Sequence, residues 1–258
     1  MPPSSPSAAD LYFLGGCDLE MQQIAEVLSD HSVACENLGE AWSGKLYAYH
    51  ESKIAAAIRR GQRPVLIELG NIPESVQPFV DIIDHHGEDS GHVPTSLEQV
   101  LQRLGLTPTH EQQLIAANDK GYIEGMIAAG ATLEEVEHIR RDDREAQKIT
   151  SEQMQQAATA IAARDTSVPG LTVVQLPHGR TAAVTDLLHA YLGGPGYANL
   201  LILCPGEVNF YGDGAVITRL KHRFGGYEGG QLPVKGYWGL ETSDTEQRKA
   251  IRDFVESI

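Results

Sequence analysis

The chain has 258 residues, room for one large domain or two modest ones, and its 41% hydrophobic and 21% charged content is ordinary for a globular protein. It sets 20 Lys and Arg against 35 Asp and Glu, a formal net charge of -15, which argues against a grip on long nucleic acid, because that task needs a basic stripe. No apolar run approaches membrane-spanning length, and three scattered cysteines (Cys17, Cys35, Cys204) without Cys-x-x-Cys spacing argue against a disulfide framework and a thiolate zinc site and fit a reducing cytoplasm.

Residues 1–10 are rich in Pro, Ser and Ala and read as a loose tail. Residues 11–14 form a short apolar strand, broken by Gly15-Gly16. Asp18 then caps a helix to about residue 28, with Met21, Ile24, Ala25 and Leu28 at helical spacing. A second helix over 52–60 stops at Gly61. An apolar strand over 64–69 ends in Glu68-Leu69-Gly70, and a strand over 78–83 delivers Asp84-His85-His86-Gly87. Ser96 caps a helix, with Glu98 behind it, that ends at Gly105. A longer helix covers 111–129, with an interruption at Asp119-Lys120-Gly121. Strands alternating with helices of this length imply βαβ units and a parallel sheet.

Residues 132–164 read as helical throughout, dense in charge and poor in apolar residues, hence a solvated connecting segment. After a loop at 165–170 a second α/β unit begins. It has a strand at 171–176, a helix at 182–192, a glycine break at 193–196 and a strongly apolar strand at 199–204. A hairpin is expected from 207–211 and 215–220 around Gly212-Asp213-Gly214. A glycine-rich loop over 223–230 follows, and Ser243 caps a last helix at 245–258. There is no internal repeat.

The chemistry concentrates at Asp84-His85-His86. An oxygen ligand and two imidazoles at the carboxyl end of a parallel strand suit a divalent metal, and ligands in such sheets gather at that edge. Asp18 and Glu20 follow the first strand, Glu68 closes the next clear one, and Asp119 interrupts the longer helix. Each alone has a plainer reading: an N-cap for Asp18, a surface carboxylate for Glu68, an exposed helix residue for Asp119. Together they would repel one another without cations, and an oxygen-rich site with some histidine suits Mn²⁺ or Mg²⁺ better than structural zinc. Near the end of the chain, Arg223 with Gly225, Gly226, Gly229 and Gly230, and Lys235 beyond, fit an anion-holding loop, although a plain turn has the same composition.

Asp84-His85-His86 behind an Ile/Val strand resembles the signature of the DHH phosphoesterase superfamily. Asp18-Leu19-Glu20 resembles its first motif, Glu68 its second and Asp119 its fourth, and Arg223-Phe224-Gly225-Gly226 resembles the glycine signature of the smaller DHH-associated domain. The resemblance implies an α/β chain with a parallel-sheet catalytic domain (11–133), a helical linker (134–168) and a smaller α/β substrate-binding domain (169–258). It implies one or two Mn²⁺ (or Mg²⁺) ions held by Asp18, Glu20, Glu68, Asp84, His85 and Asp119. Asp84, His85 and His86 would be catalytic, and Arg223, Gly225, Gly226, Gly229, Gly230 and Lys235 would hold a phosphate. The expected activity is hydrolysis of short oligonucleotides or small nucleotides. Alternatives are a pyrophosphatase or other hydrolase of small phosphate compounds, and a catalytically impaired module that binds nucleotide or metal. No membrane or long nucleic acid is expected as a partner, a homodimer is compatible with this reading, and the expected location is cytoplasmic. Leu14 stands where the family usually has a histidine, Glu68 where it has an aspartate, and Tyr227-Glu228 near the position of its loop histidine.

Overall fold

Apolar segments too short for helices, each followed by a capped helix, build a parallel sheet in the first half of the chain. The computed structural model describes residues 10–37, 46–86 and 93–258. The expected tail up to residue 9 and Gly87 lie outside that set. The strands are β1 (Asp10–Leu14), β2 (Cys35–Asn37), β3 (Arg63–Ile67) and β4 (Asp81–Ile83), in the order β2-β1-β3-β4, all parallel. Helices α1 (Leu19–Asp30), α2 (Leu46–Arg59), α3 (Ser96–Leu104) and α4 (His110–Ala128) accompany them. Phe13, Leu66, Ile54 and Val80 are among the buried residues of the core here. The α/β architecture read from the sequence is the one observed.

Helices α5 (Leu133–Ala146) and α6 (Ser151–Ala162) follow. The stretch read as helical throughout and largely solvated is two helices, broken where Lys148 takes a left-handed backbone (φ 58). Nor is it merely solvated: Val136, Ile139, Ala157, Arg140 and Asp143 are all buried. The chain divides into two compact units, Met1–Thr132 with Arg141–Gln147 and Leu133–Arg140 with Lys148–Ile258, and the division falls inside α5.

The second unit holds β5 (Leu171–Gln175), α7 (Ala182–Leu188), β6 (Asn199–Cys204), β7 (Glu207–Asp213), α8 (Gly214–Phe224), β8 (Tyr227–Gly229), β9 (Lys235–Glu241) and α9 (Thr245–Glu256). Its strands run in the order β5-β6-β7-β9-β8, with β5 and β6 parallel and the rest antiparallel. Trp238, Phe210 and Leu201 pack on one face with Ile217 and Leu220 of α8 and Ile251 of α9. Val174, Leu200 and Ile202 pack on the other with Ala157 of α6 and Val184 of α7.

Three local expectations are corrected. The hairpin at Gly212-Asp213-Gly214 is a strand-to-helix junction: the Asp213 side chain accepts from the backbone N–H groups of Ala215 (2.7 Å) and Val216 (3.3 Å). That is an N-cap, and the apolar residues beyond it sit at helical spacing. The strand over 78–83 shortens to Asp81–Ile83, because Gln77–Phe79 forms a 3₁₀ turn around Pro78. The caps expected at Ser96 and Ser243 are Thr95, in a capping box with Glu98, and Asp244. β2 and β9 had no sequence signal, the first because it is three residues long, the second because two glycines interrupt its pattern.

Candidate metal centre

The carboxyl ends of β3 and β4 and the amino ends of α1 and α3 supply the polar groups of the first unit's sheet edge. Glu68 follows β3 directly and takes a left-handed backbone (φ 53), while its N–H donates to Ile83 O (2.9 Å). Such a conformation costs a non-glycine residue about 1 kcal/mol or more and is concentrated at functional sites. Its neighbour is Gly15, whose N–H donates to Ile67 O (2.8 Å). A Cβ at Gly15 would lie 2.9 Å from both Ile67 O and the Glu68 carbonyl carbon, so only glycine allows this approach.

His85 is 4% exposed and lies at the centre. Its Nε2 is 2.7 Å from Asp119 Oδ2, and its Nδ1 is 3.3 Å from both Glu68 Oε1 and Ser96 Oγ. Ser96, the first residue of α3, donates to Glu68 Oε1 (2.7 Å), and the next N–H of that helix, Leu97, donates to Glu20 Oε1 (2.9 Å). The α3 amino end thus steadies two carboxylates with backbone and side-chain donors, as its dipole favours. Asp119 is brought in by α4, which is kinked at Tyr122 (φ 57, ψ -144) just beyond it. The interruption expected near Asp119-Lys120-Gly121 is real and falls one residue later.

Among the described residues two groups of ligand-type atoms emerge, Glu20 with His85 and Asp119, and Glu68 with His85 and His86; within each the atoms lie within 4.8 Å of one another. Asp18 and Asp84 belong to neither. Asp18 is buried and spends Oδ1 as the α1 N-cap, accepting from Met21 N (2.8 Å). Asp84 is exposed at the surface, and its Oδ1 accepts from His86 N (2.9 Å) and lies 3.0 Å from His86 Nδ1. Asp143, which sequence reading placed in a solvated segment, is buried and accepts from Leu19 N (3.2 Å). Its only sequence signal is its position in a helix otherwise rich in charge.

Burial and charge together shift the protonation here. Burial first, then repulsion from Asp119 and Glu68, pushes the Asp18 and Glu20 carboxyls well above the usual range. Burial alone would lower His85, but Asp119 and Glu68 outweigh it and hold the imidazolium up to about 11. Among the described residues, Glu20 Oε2 and Glu68 Oε2 are buried without any hydrogen-bond partner. Buried acceptors of this kind are rare unless something else satisfies them. Carboxylates crowded round imidazole, with orphaned oxygens, are the donor set a hard divalent cation takes.

The signs give a testable pH dependence. A group whose folded pKa is raised holds its proton more tightly when folded, so its stabilisation is greatest at low pH and is lost as pH rises towards the folded value. Asp18, Glu20 and His85 are all raised, so they act in the same sense. The midpoint of thermal unfolding in chelator is expected to fall steadily from pH 6 to pH 9, and excess Mn²⁺ is expected to flatten that slope by displacing the protons. A chelated protein whose midpoint rises over that range would contradict this electrostatic account.

The residues expected to hold phosphate are placed differently from one another. Gly225 ends α8 and its carbonyl accepts from Trp238 Nε1 (2.7 Å). Gly226 lies against the Gly239 backbone, Gly229 pairs with Tyr237 in the sheet, and Gly230 approaches Gly236. These glycines serve the close packing of β8 on β9. Arg223 is turned over Phe254, and Lys235 is an exposed residue paired in register with Asp213.

No family model and no curated protein matches the chain. Among solved structures, the Mn²⁺ complex of RecJ from Thermus thermophilus aligns with 96% of this chain and 51% of its own, at 12% identity and a TM-score of 0.54. The Mg²⁺ complex of the same protein gives 14% identity, 96% and 49% coverage and a TM-score of 0.46. A pGpG-specific phosphodiesterase, PggH of Vibrio cholerae, gives 12% identity, 96% and 97% coverage and a TM-score of 0.46. The present chain thus spans about half the length of the RecJ structure it resembles. Among the described residues no helix is long and apolar enough to cross a membrane. The chain therefore shares the fold of RecJ from Thermus thermophilus.

Proposed function

We propose that this protein is a metal-dependent hydrolase of phosphoester bonds in short oligonucleotides or small nucleotides. One observation carries the reading: Glu20, Glu68 and Asp119 converge on buried His85, and Glu20 Oε2 and Glu68 Oε2 have no hydrogen-bond partner among the described residues. Glu20, Glu68, His85 and Asp119 would hold the cation, Mn²⁺ or Mg²⁺. When bound it would supply Lewis-acid charge at the phosphoryl oxygens and make water a usable nucleophile at neutral pH.

The remaining steps belong to the chain. His86 is half-exposed beside Glu68, and Asp84 takes the Nδ1 side of its ring. That contact orients the imidazole. Burial lowers the His86 pKa, but Asp84 and Glu68 outweigh it, so the net shift is upward. An oriented imidazole suits proton donation to a leaving oxygen or stabilisation of phosphoryl charge. The net charge of -15 favours a short substrate over a long strand.

Asp18 and Asp84, in neither ligand group, and buried Leu14 favour a second reading, a module that binds metal or nucleotide without turnover. A panel separates the two: a linear 5′-phosphorylated dinucleotide, a cyclic dinucleotide, a nucleoside bisphosphate and pyrophosphate, each with Mn²⁺, Mg²⁺ or chelator. The expected result is cleavage of the linear dinucleotide with metal and none with chelator. Cleavage of pyrophosphate alone would move the assignment to small phosphate compounds. Metal binding without cleavage of any member would support the binding module.

A further inference from the structure

The second unit carries a feature that the metal centre does not use. Helices α8 and α9 flank a groove of about 630 Å³ lined by Thr218, Arg219, His222, Arg223 and Phe254. Its size lies within the roughly 300–1,000 Å³ of small-molecule sites. Arg219, His222 and Arg223 stand at i, i+3 and i+4 on α8, hence on one face. The guanidinium carbons of Arg219 and Arg223 lie 5.2 and 4.8 Å from the centroid of the Phe254 ring.

Among the described residues no carboxylate pairs with Arg219, His222 or Arg223, whereas Arg63, Arg103, Arg140 and Arg252 all have acidic partners. In a chain with 35 acidic and 20 basic residues, Arg219 and Arg223 bring two guanidinium charges beside one ring. Favourable interaction with the α8 dipole accounts for basic residues in its last turn. It covers Lys221, whose Nζ donates to Gly226 O (2.5 Å), and with it His222 and Arg223 of the same turn. It does not cover Arg219, which lies farther from the helix end and is turned onto Phe254. Stacking on a ring holds a guanidinium flat and leaves its N–H fork free for a planar or tetrahedral oxyanion.

We propose that this groove binds the phosphate group of a small phosphorylated ligand, with Arg219 and Arg223 as the anion fork, His222 beside them and Phe254 as the apolar wall. The overall acidity excludes a long polyanion and admits a short one. The phosphate belongs either to a free mononucleotide or to the end of a short oligonucleotide.

Equilibrium dialysis in chelator tests this with no turnover to confuse it. The probes are a nucleoside monophosphate, the matching nucleoside and a 5′-phosphorylated trinucleotide. Phosphorylated probes are expected to bind and the nucleoside to fail. Arg219→Gln is expected to weaken binding by about tenfold or more, the loss of one charge-assisted contact. Phe254→Leu, which keeps an apolar wall but removes the ring, should weaken it as well. Circular dichroism confirms that both variants fold. Binding of both phosphorylated probes assigns the groove to free nucleotides, and binding of the trinucleotide alone assigns it to a strand end. Equal retention of nucleoside and nucleotide, or wild-type binding by Arg219→Gln, overturns the proposal. Because metal is absent, neither result depends on the hydrolase reading.

Discussion

Asp119→Asn is expected to lower metal-dependent hydrolysis by about a hundred- to a thousandfold, the scale on which removing one preorganised charged group from a reaction centre is felt. The amide keeps the shape and leaves an oxygen facing His85 Nε2, now 2.7 Å from the carboxylate. What disappears is a negative charge in one of the two ligand groups. The same charge is the chief electrostatic cause raising Asp18 and Glu20 and a principal support of the His85 imidazolium. The variant should therefore show a second effect: in chelator, the fall of its thermal midpoint between pH 6 and pH 9 should be shallower than in the parent. Calorimetric titration with Mn²⁺ gives the direct readout. A variant that takes up Mn²⁺ and turns over substrate like the parent would remove Asp119 from the site.

A larger effect on stability is expected at Arg140. Its Nε and Nη2 lie 3.1 and 3.0 Å from Asp186 Oδ1, and both side chains are almost wholly buried. Arg140→Ala leaves a buried carboxylate without this partner, at a cost of about 3–5 kcal/mol. Replacing both residues with apolar side chains of similar volume should recover most of the loss, because the pair itself gains little over good packing. Urea denaturation of the single and double variants makes the comparison. If Arg140→Ala costs under about 1 kcal/mol, water or rearrangement is satisfying Asp186 and the pair is not structural.

Much of this architecture could be read directly. Asn199–Cys204 is a run of apolar and β-branched residues with a turn behind it, and the strand has those bounds. Asp18 announced the α1 cap. The metal-type residues Glu20, Glu68, His85 and Asp119 were singled out because carboxylates at successive strand ends face one edge of a parallel sheet. The sequence could not separate these from Asp84 and Asp18, whose side chains are taken by local hydrogen bonds. That distinction depends on backbone direction at single residues, above all the left-handed turn at Glu68. Arg140 and Asp143 were hidden for another reason. Residue type suggests exposure, and only tertiary pairing makes burial tolerable. The glycines of 225–230 misled in the opposite sense, since close packing of two strands and a phosphate loop call for the same residue.

The ligand groups also bear on how the molecule comes to exist. Glu20, Glu68, His85 and Asp119 reach the site from four segments between positions 20 and 119, and none of the described clusters can form from one hairpin or helix alone. Contacts of such sequence separation close after most chain entropy has been lost. A cation would thus find its full set of ligands only in a nearly finished sheet. It would act on the barrier to unfolding far more than on the rate of folding, so added Mn²⁺ should lengthen the lifetime of the native state while leaving refolding kinetics almost unchanged.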